Sequence, residues 1–306
     1  MLGYVTDPSA PGGLIRRTFD EPIPELDQVI VEVRAFAVNR GEIHLLGTRD
    51  VGWQPGQDVA GVVVTACASG EGPPVGTRVV GLADGGGWAE RVAVRLNQVA
   101  AVPDEVSFAE AAALPVAGLT ALRTLRAGGP TLGRSVLVTG ASGGVGTFAI
   151  QLARAGGATV TALVSRPERE AAAREAGAHH VVTDLDDAGP FDIALDGVGG
   201  PVLVDVVHSL APGGTAIIYG VSGDTRESPL AFWDFADAPL AKVSGFFIFR
   251  TDVSTFHEDL GLLARMVADG RLRPQVGEPR SWDQTPAAVA DLRERRATGK
   301  VVLTVG

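Results

Sequence analysis

The chain of 306 residues contains one cysteine, Cys67. A single thiol excludes an intramolecular disulfide and any zinc site built on several thiolates, and it makes a reducing cytoplasmic location the expectation. No apolar run approaches the roughly 20 residues that span a bilayer. The start of the sequence, Met1-Leu-Gly-Tyr-Val-Thr-Asp-Pro8, has no basic segment leading into an apolar one, as a secretory leader requires. Positive charge is also short: 26 Lys and Arg face 36 Asp and Glu, for a net charge of -10 and a pI near 5.0. Nucleic acids and anionic membranes reward clustered cations, so neither is expected as a partner. Lysine occurs only at Lys242 and Lys300, and tyrosine only at Tyr4 and Tyr219.

Glycine, by contrast, is abundant at 40 residues, and 45% hydrophobic with 20% charged residues is ordinary for a globular chain. The length favours two domains. To about Val116 the sequence reads as short strands broken by Gly-Pro turns: Gln28–Ala37, Asp58–Thr65, Arg78–Leu82 and Trp88–Val94. This predicts a compact β-rich domain. Ser107 with Glu110 forms a capping box, and an Ala-rich helical segment to Ala127 reads as the hinge between domains. From Ser135 strands and helices alternate. Strands fall at 135–139, 158–164, 180–183, 191–195, 215–219 and 243–249, and helices at 144–156, 167–177 and 200–211. Six strands in this pattern predict an α/β, doubly wound, Rossmann-type parallel sheet of order 3-2-1-4-5-6. An amphipathic helix from Thr255 to Asp269, another over 287–298 and a strand Lys300–Val305 follow, and these return to the first domain. The expected division is 1–116 with 255–306, and 117–254.

The strand 135–139 runs into Gly140-Ala-Ser142-Gly143-Gly144-Val145-Gly146 and on into a helix. Glycines three apart at that junction suit a dinucleotide pyrophosphate: the first permits the tight turn, the second lets phosphate approach the backbone, and the third lets helix pack on strand. The same residues fit the turn of short-chain dehydrogenases, but no Tyr-x-x-x-Lys pair exists to move the proton. They also match the Gly-x-Ser-x-Gly elbow of α/β-hydrolases, with Asp196 and His257 as candidate partners, although that reading leaves Gly146 and the later alternation unexplained. A phosphate P-loop is excluded, because no Gly-Lys-Ser/Thr follows.

The second strand of the alternation ends at Val164-Ser165-Arg166, where an NAD-selective fold places an acid on the ribose 2′-hydroxyl. Here the acid is missing, and Ser165, Arg166 and, one turn on, Arg169 offer donors to a 2′-phosphate. NADPH is therefore the expected cofactor.

The motifs together resemble the zinc-independent quinone oxidoreductase family of the medium-chain dehydrogenase/reductase superfamily over nearly the whole chain. They are Val38-Asn39 with Glu42, Pro55-Gly56-Gln-Asp-Val-Ala-Gly61, Val75 to Gly81, Gly87-Trp-Ala-Glu to Val94, Ala111 to Ala121, Asp196-Gly-Val-Gly-Gly200 and Gly299-Lys-Val-Val-Leu303. The resemblance implies a GroES-like catalytic domain beside the Rossmann domain, and hydride transfer from NADPH to a quinone or conjugated enone. It also implies a homodimer that pairs the edge strand near 243–249 across a twofold axis. Zinc-dependent relatives carry a catalytic cysteine, a Gly-His-Glu segment and a four-cysteine loop; this chain has Gly56-Gln57-Asp58 and one cysteine, so no metal is expected. Without a metal, neutral donors must stabilise the developing oxyanion and a proton must follow.

By resemblance, Asn39 sits at the substrate-cleft asparagine and His44 where a cleft tyrosine often stands. Thr120 then faces the nicotinamide and pyrophosphate, Gly199 the adenosine side, the backbone of Phe247, Ile248 and Phe249 the carboxamide, and Lys300 the phosphates. Two other functions stay open: an enoyl-thioester reductase of polyketide or fatty-acid type, and a non-catalytic NADPH-binding protein.

Overall fold

The computed structural model describes residues 1–306 apart from Asp224, Arg226 and Thr298. It divides into two compact units, Met1–Leu119 with Asp252–Gly306, and Thr120–Thr251.

The first unit is built on the long strand Gln28–Val38, whose side chains are buried almost without a break. Both of its edges are used. Asp58–Thr65 pairs along Ile30–Ala37, Arg91–Arg95 along Gln28–Glu32, and Val301–Thr304 along Ala35–Val38, all antiparallel. Arg78–Leu82 and Val99–Ala101 extend the sheet beyond Asp58–Thr65. The strand expected at Trp88–Val94 starts only at Arg91, because the preceding backbone is paired elsewhere. Trp88 N–H donates to the Pro55 carbonyl at 3.1 Å, the Trp88 carbonyl accepts from Tyr4 at 2.9 Å, and Glu90 N–H donates to Leu2 at 3.0 Å. Leu2–Thr6 and Leu14–Thr18 form a small antiparallel sheet absent from the sequence reading. The indole of Trp88 is wholly buried and stacks on Phe36, ring centroids 5.8 Å apart. Gly56, at φ +117°, closes the turn over it; a Cβ there would overlap the backbone of Gly87 and Trp88.

Helix α1 (Arg40–Leu46) follows the central strand directly. The capping box expected at Ser107 is present, with Ser107 Oγ accepting from Glu110 N–H at 3.2 Å and the Glu110 carboxylate accepting from Ser107 N–H at 2.9 Å. The single helix expected through Ala127 is instead two, α2 (Phe108–Ala112) and α3 (Pro115–Gly128). Pro115 has no N–H to continue the ladder, and its ring collides with the preceding turn. The helices near the C-terminus cover Phe256–Ala268 and Thr285–Arg293. The second ends before Arg295, which adopts φ +59°, and Thr298, its expected end, lies outside the described residues.

The second unit is a six-stranded parallel sheet: β1 (Ser135–Thr139), β2 (Thr159–Leu163), β3 (His180–Val182), β4 (Phe191–Asp196), β5 (Leu210–Ile218) and β6 (Lys242–Gly245). The spatial order is 3-2-1-4-5-6, as expected, with the reversal of a doubly wound sheet between β1 and β4. Helices α4 (Gly144–Ala155), α5 (Glu170–Glu175) and α6 (Pro201–His208) connect the strands. The helix expected over 167–177 opens as a 3-10 turn at Pro167–Arg169 before α5 begins. β6 is shorter than expected: Phe246 N–H makes the last bond to β5, at 2.7 Å from the Ile218 carbonyl, and Ile248–Arg250 is already a 3-10 turn. Leu137, Phe191, Leu203, Val206 and Ala216 form part of this unit's core. No helix among the described residues is long and apolar enough to cross a membrane.

Candidate active site

Because the strands of the second unit are parallel, the turns after β1, β2, β4 and β6 all lie at one end of the sheet. This end carries the glycine turn. Gly140 adopts φ +58°, and Gly143 is the extended N-cap of α4. Thr147 N–H is the first in α4 to donate four residues back, to Gly143 at 3.0 Å, so the N–H groups of Gly144, Val145 and Gly146 lack an intrahelical acceptor. A Cβ on Gly146 would lie 2.6 Å from the Gly140 carbonyl oxygen and 2.7 Å from Ala141 Cα. The helix can approach the strand this closely only with glycine at 146. Orphan amides on the positive end of a helix, beside a backbone stripped of side chains, fit a pyrophosphate. Ser142 is buried within the turn. The hydrolase elbow, which needs an exposed nucleophile, is therefore rejected.

Ser165 and Arg166 follow β2 at the same end of the sheet, both exposed, and Arg169 closes the 3-10 turn with its N–H on the Arg166 carbonyl at 3.1 Å. Gly199, in the loop after β4, has φ +68°, and its N–H is committed to Asp196 Oδ2 at 3.0 Å, which leaves its carbonyl as the polar group for a ligand. After β6, the carbonyls of Phe247 and Ile248 accept from Arg250 and Thr251, while Ile248 itself is buried. The rings of Phe247 and Phe249 are exposed and meet edge to face at 5.8 Å.

Within the first unit, residues far apart in sequence converge on a second polar cluster. Lys300, 4% exposed, donates from Nζ to Asn39 Oδ1 at 2.6 Å and to Asp58 Oδ2 at 2.9 Å. Asn39 Nδ2 donates to the same Asp58 oxygen at 2.9 Å and to Glu42 Oε2 at 3.3 Å. Glu42 also accepts from the backbone N–H groups of Asn39, at 2.8 Å, and Gln57, at 3.0 Å. The other Asp58 oxygen accepts from Val116 N–H at 2.8 Å and so caps the start of α3. Burial, reinforced by the neighbouring Asp58 charge, pushes the Glu42 carboxyl up to about 8 against the pull of these N–H groups and of Lys300.

This cluster corrects two expectations. Both N–H bonds of the Asn39 amide are already committed to Asp58 and Glu42, so it is not the donor to a substrate oxygen. The buried Lys300 ammonium gives donors to Asn39 and Asp58, so it serves as the partner of the buried Asp58 carboxylate and not of a phosphate. His44 is exposed on α1. Thr120 is buried in α3, its carbonyl accepting from Thr124 Oγ1 at 2.7 Å. Asp58 and Glu42 went without a role in the sequence reading, as did Thr139 at the end of β1, and Asp196 at the end of β4 entered only as a candidate partner in the rejected hydrolase elbow. The available signal was an acidic residue inside an otherwise apolar or glycine-rich stretch, where a carboxylate must be held by donors.

Residues 25–104 match the alcohol dehydrogenase GroES-like domain family, and residues 176–303 match a family described as zinc-binding dehydrogenase. The chain is 33% identical to the 2-methylene-furan-3-one reductase of Solanum lycopersicum, covering 92% of this chain and 73% of the relative. It is 29% identical to the quinone oxidoreductase of Lama guanicoe, over 92% of this chain and 90% of the other. A mycobacterial structure solved in complex with NADPH superposes over all of both chains with a TM-score of 0.88 at 26% identity. With the GroES-like and Rossmann units both present and these relatives aligned along nearly the whole chain, the protein is an oxidoreductase of the medium-chain dehydrogenase/reductase superfamily, with quinone oxidoreductases and an enone reductase among its homologues.

Proposed function

We propose that this protein is an NADPH-dependent reductase that transfers hydride to a quinone or a conjugated enone without a zinc ion. The observation that carries the reading is the glycine turn at the switch-point end of the six-stranded sheet, with serine and arginine instead of an acid after β2. The relatives agree: one is named for a quinone, one for a furanone whose methylene group conjugates with its ketone, and the structural neighbour was solved with NADPH.

Bound NADPH supplies a hydride from its nicotinamide ring to an electron-poor carbon. The chain supplies the rest. The amides of Gly144, Val145 and Gly146 hold the pyrophosphate, Ser165 and Arg166 take the 2′-phosphate, and the backbone at Gly199 and around Phe247 to Phe249 lies at the same end of the sheet. Zinc independence rests on residue chemistry. Gln57 stands where the resemblance places a histidine ligand, and the one cysteine donates its thiol to the Leu26 carbonyl at 2.8 Å. Thr120 and His44 are the remaining candidates for orienting the acceptor or delivering its proton.

The test is NADPH oxidation against para-quinones, ortho-quinones, enones and enoyl thioesters, with NADH in parallel. Turnover of a quinone or enone with NADPH is expected. Turnover confined to enoyl thioesters would select the carrier-linked alternative, and tight NADPH binding without turnover would select a non-catalytic role. The proposed homodimer pairs β6, whose outer edge is unpaired among the described residues and which is followed by the exposed Phe247. A solution mass of one chain, 31.5 kDa, would refute it.

A further inference from the structure

The carboxyl end of β4 holds a carboxylate that the reaction does not use. Asp196 is completely buried, and its ligands are all hydrogen-bond donors. Oδ1 accepts from Thr139 Oγ1 at 2.5 Å and from Val198 N–H at 3.0 Å, and Oδ2 accepts from Gly199 N–H at 3.0 Å. Thr139, also wholly buried, is the last residue of β1, immediately before Gly140. Its hydroxyl does double duty, donating to Asp196 and accepting from Gly197 N–H at 3.0 Å. The N–H groups of three successive loop residues, Gly197, Val198 and Gly199, are thereby gathered onto one hydroxyl and one carboxylate.

We propose that Asp196 and Thr139 are positioning residues for the cofactor: together they clamp the glycine turn after β1 to the Gly197–Gly200 loop after β4, across the switch point. The inference rests on the NADPH reading above. In sheets of this order a dinucleotide lies where the strand order reverses, between the first and fourth strands, and Thr139 and Asp196 end those two strands. The clamp therefore fixes the distance between the two loops flanking that crevice.

The surroundings fit this role. Gly199 and Gly200 both have positive φ, +68° and +61°, a conformation open to glycine without steric cost, and as glycines they have the most backbone freedom for the clamp to remove. The loop carbonyls are fixed as well: Asp196, Gly197 and Val198 accept from Tyr219, Ser222 and Gly223 at 2.8, 3.0 and 2.9 Å. Tyr219 Oη donates to the Thr139 carbonyl at 3.2 Å, while a Cβ on Gly197 would lie 2.5 Å from its ring. Burial and the charge of Asp196 push the Tyr219 phenol up, so it remains a donor. A carboxylate at 196 is needed because two oxygens must both accept. An asparagine turns an N–H₂ group toward a backbone N–H and leaves one loop donor without an acceptor.

The test measures NADPH affinity and steady-state kinetics in Asp196→Asn, Thr139→Val and Thr139→Ser. We expect Asp196→Asn and Thr139→Val to weaken NADPH binding at least tenfold and to raise the KM for NADPH alike. The KM for the quinone or enone and kcat at saturating NADPH should stay within about twofold, a split that general loosening of the fold does not produce. Thr139→Ser keeps the hydroxyl and is expected to restore affinity to within about twofold. NADPH binding by both loss variants at the unaltered level would overturn the clamp, as would tighter binding or a loss shared equally by kcat and both KM values. Should Asp196→Asn fail to fold, Thr139→Val against Thr139→Ser decides. If the unaltered protein binds no NADPH, the proposed function falls first and the clamp with it.

Discussion

Replacing Glu42 by glutamine should reverse the sign of a stability difference as pH rises. Glu42 is fully buried, and its carboxyl is raised from 4.5 to about 8, first by burial and then by Asp58. The folded protein therefore keeps a proton that the unfolded chain releases above about pH 4.5. A raised carboxyl contributes stability that is complete below the unfolded value and is lost as pH climbs towards the folded one, at about 1.4 kcal/mol per pH unit. Between pH 5 and 7.5 this amounts to about 3 kcal/mol lost by the natural protein. Glutamine has no proton to lose, so the variant escapes this decline. It has a fixed handicap instead: its amide nitrogen must face the N–H of either Asn39 or Gln57, at a cost of about 1–3 kcal/mol at every pH. The variant should thus be the less stable protein at pH 5, and draw level or ahead at pH 7.5. Denaturant unfolding at several pH values, with tryptophan emission in a Trp233→Phe background, provides the assay, because Trp53, Trp88 and Trp282 all lie in the first unit. Every other titrating group is common to both proteins and cancels in the difference. A difference that is the same at pH 5 and pH 7.5 would refute the argument and show Glu42 to be ionised in the folded state.

Lys300→Met removes the cation paired with the buried Asp58 carboxylate, and should cost about 3–5 kcal/mol in unfolding experiments. A loss under 1 kcal/mol would mean that the ion pair is dispensable. Arg166→Ala should weaken NADPH about tenfold or more while leaving NADH little changed, as read by titration; equal losses for both cofactors would sink the 2′-phosphate assignment. Gly146→Ala places a Cβ 2.6 Å from the Gly140 carbonyl, so it should cost about 1–3 kcal/mol of stability and at least tenfold in NADPH affinity. Unchanged binding would show that the turn can yield.

The sequence by itself determined what depends on local pattern. Strand–glycine–helix at 135–155, with its 3.6-residue and 2-residue periodicities following in turn, fixed the parallel sheet and its order, because a right-handed crossover leaves few alternatives. The capping box at Ser107 and the missing acid after β2 were equally local, and both were legible from the residue types alone. The break at Pro115 was local too and was passed over, since an Ala-rich run masks a proline that starts a new helix.

What only the tertiary structure decided was which polar groups meet. Asn39 read as a substrate donor and Lys300 as a phosphate ligand, each by position along the chain. They lie 261 residues apart in sequence and 2.6 Å apart in the fold, bound to each other and to Asp58. The same holds for Thr139 and Asp196, 57 residues apart, whose pairing follows from β1 and β4 being neighbours. A buried charge must find its partner wherever the sheet brings one, and no periodicity in the sequence records that requirement.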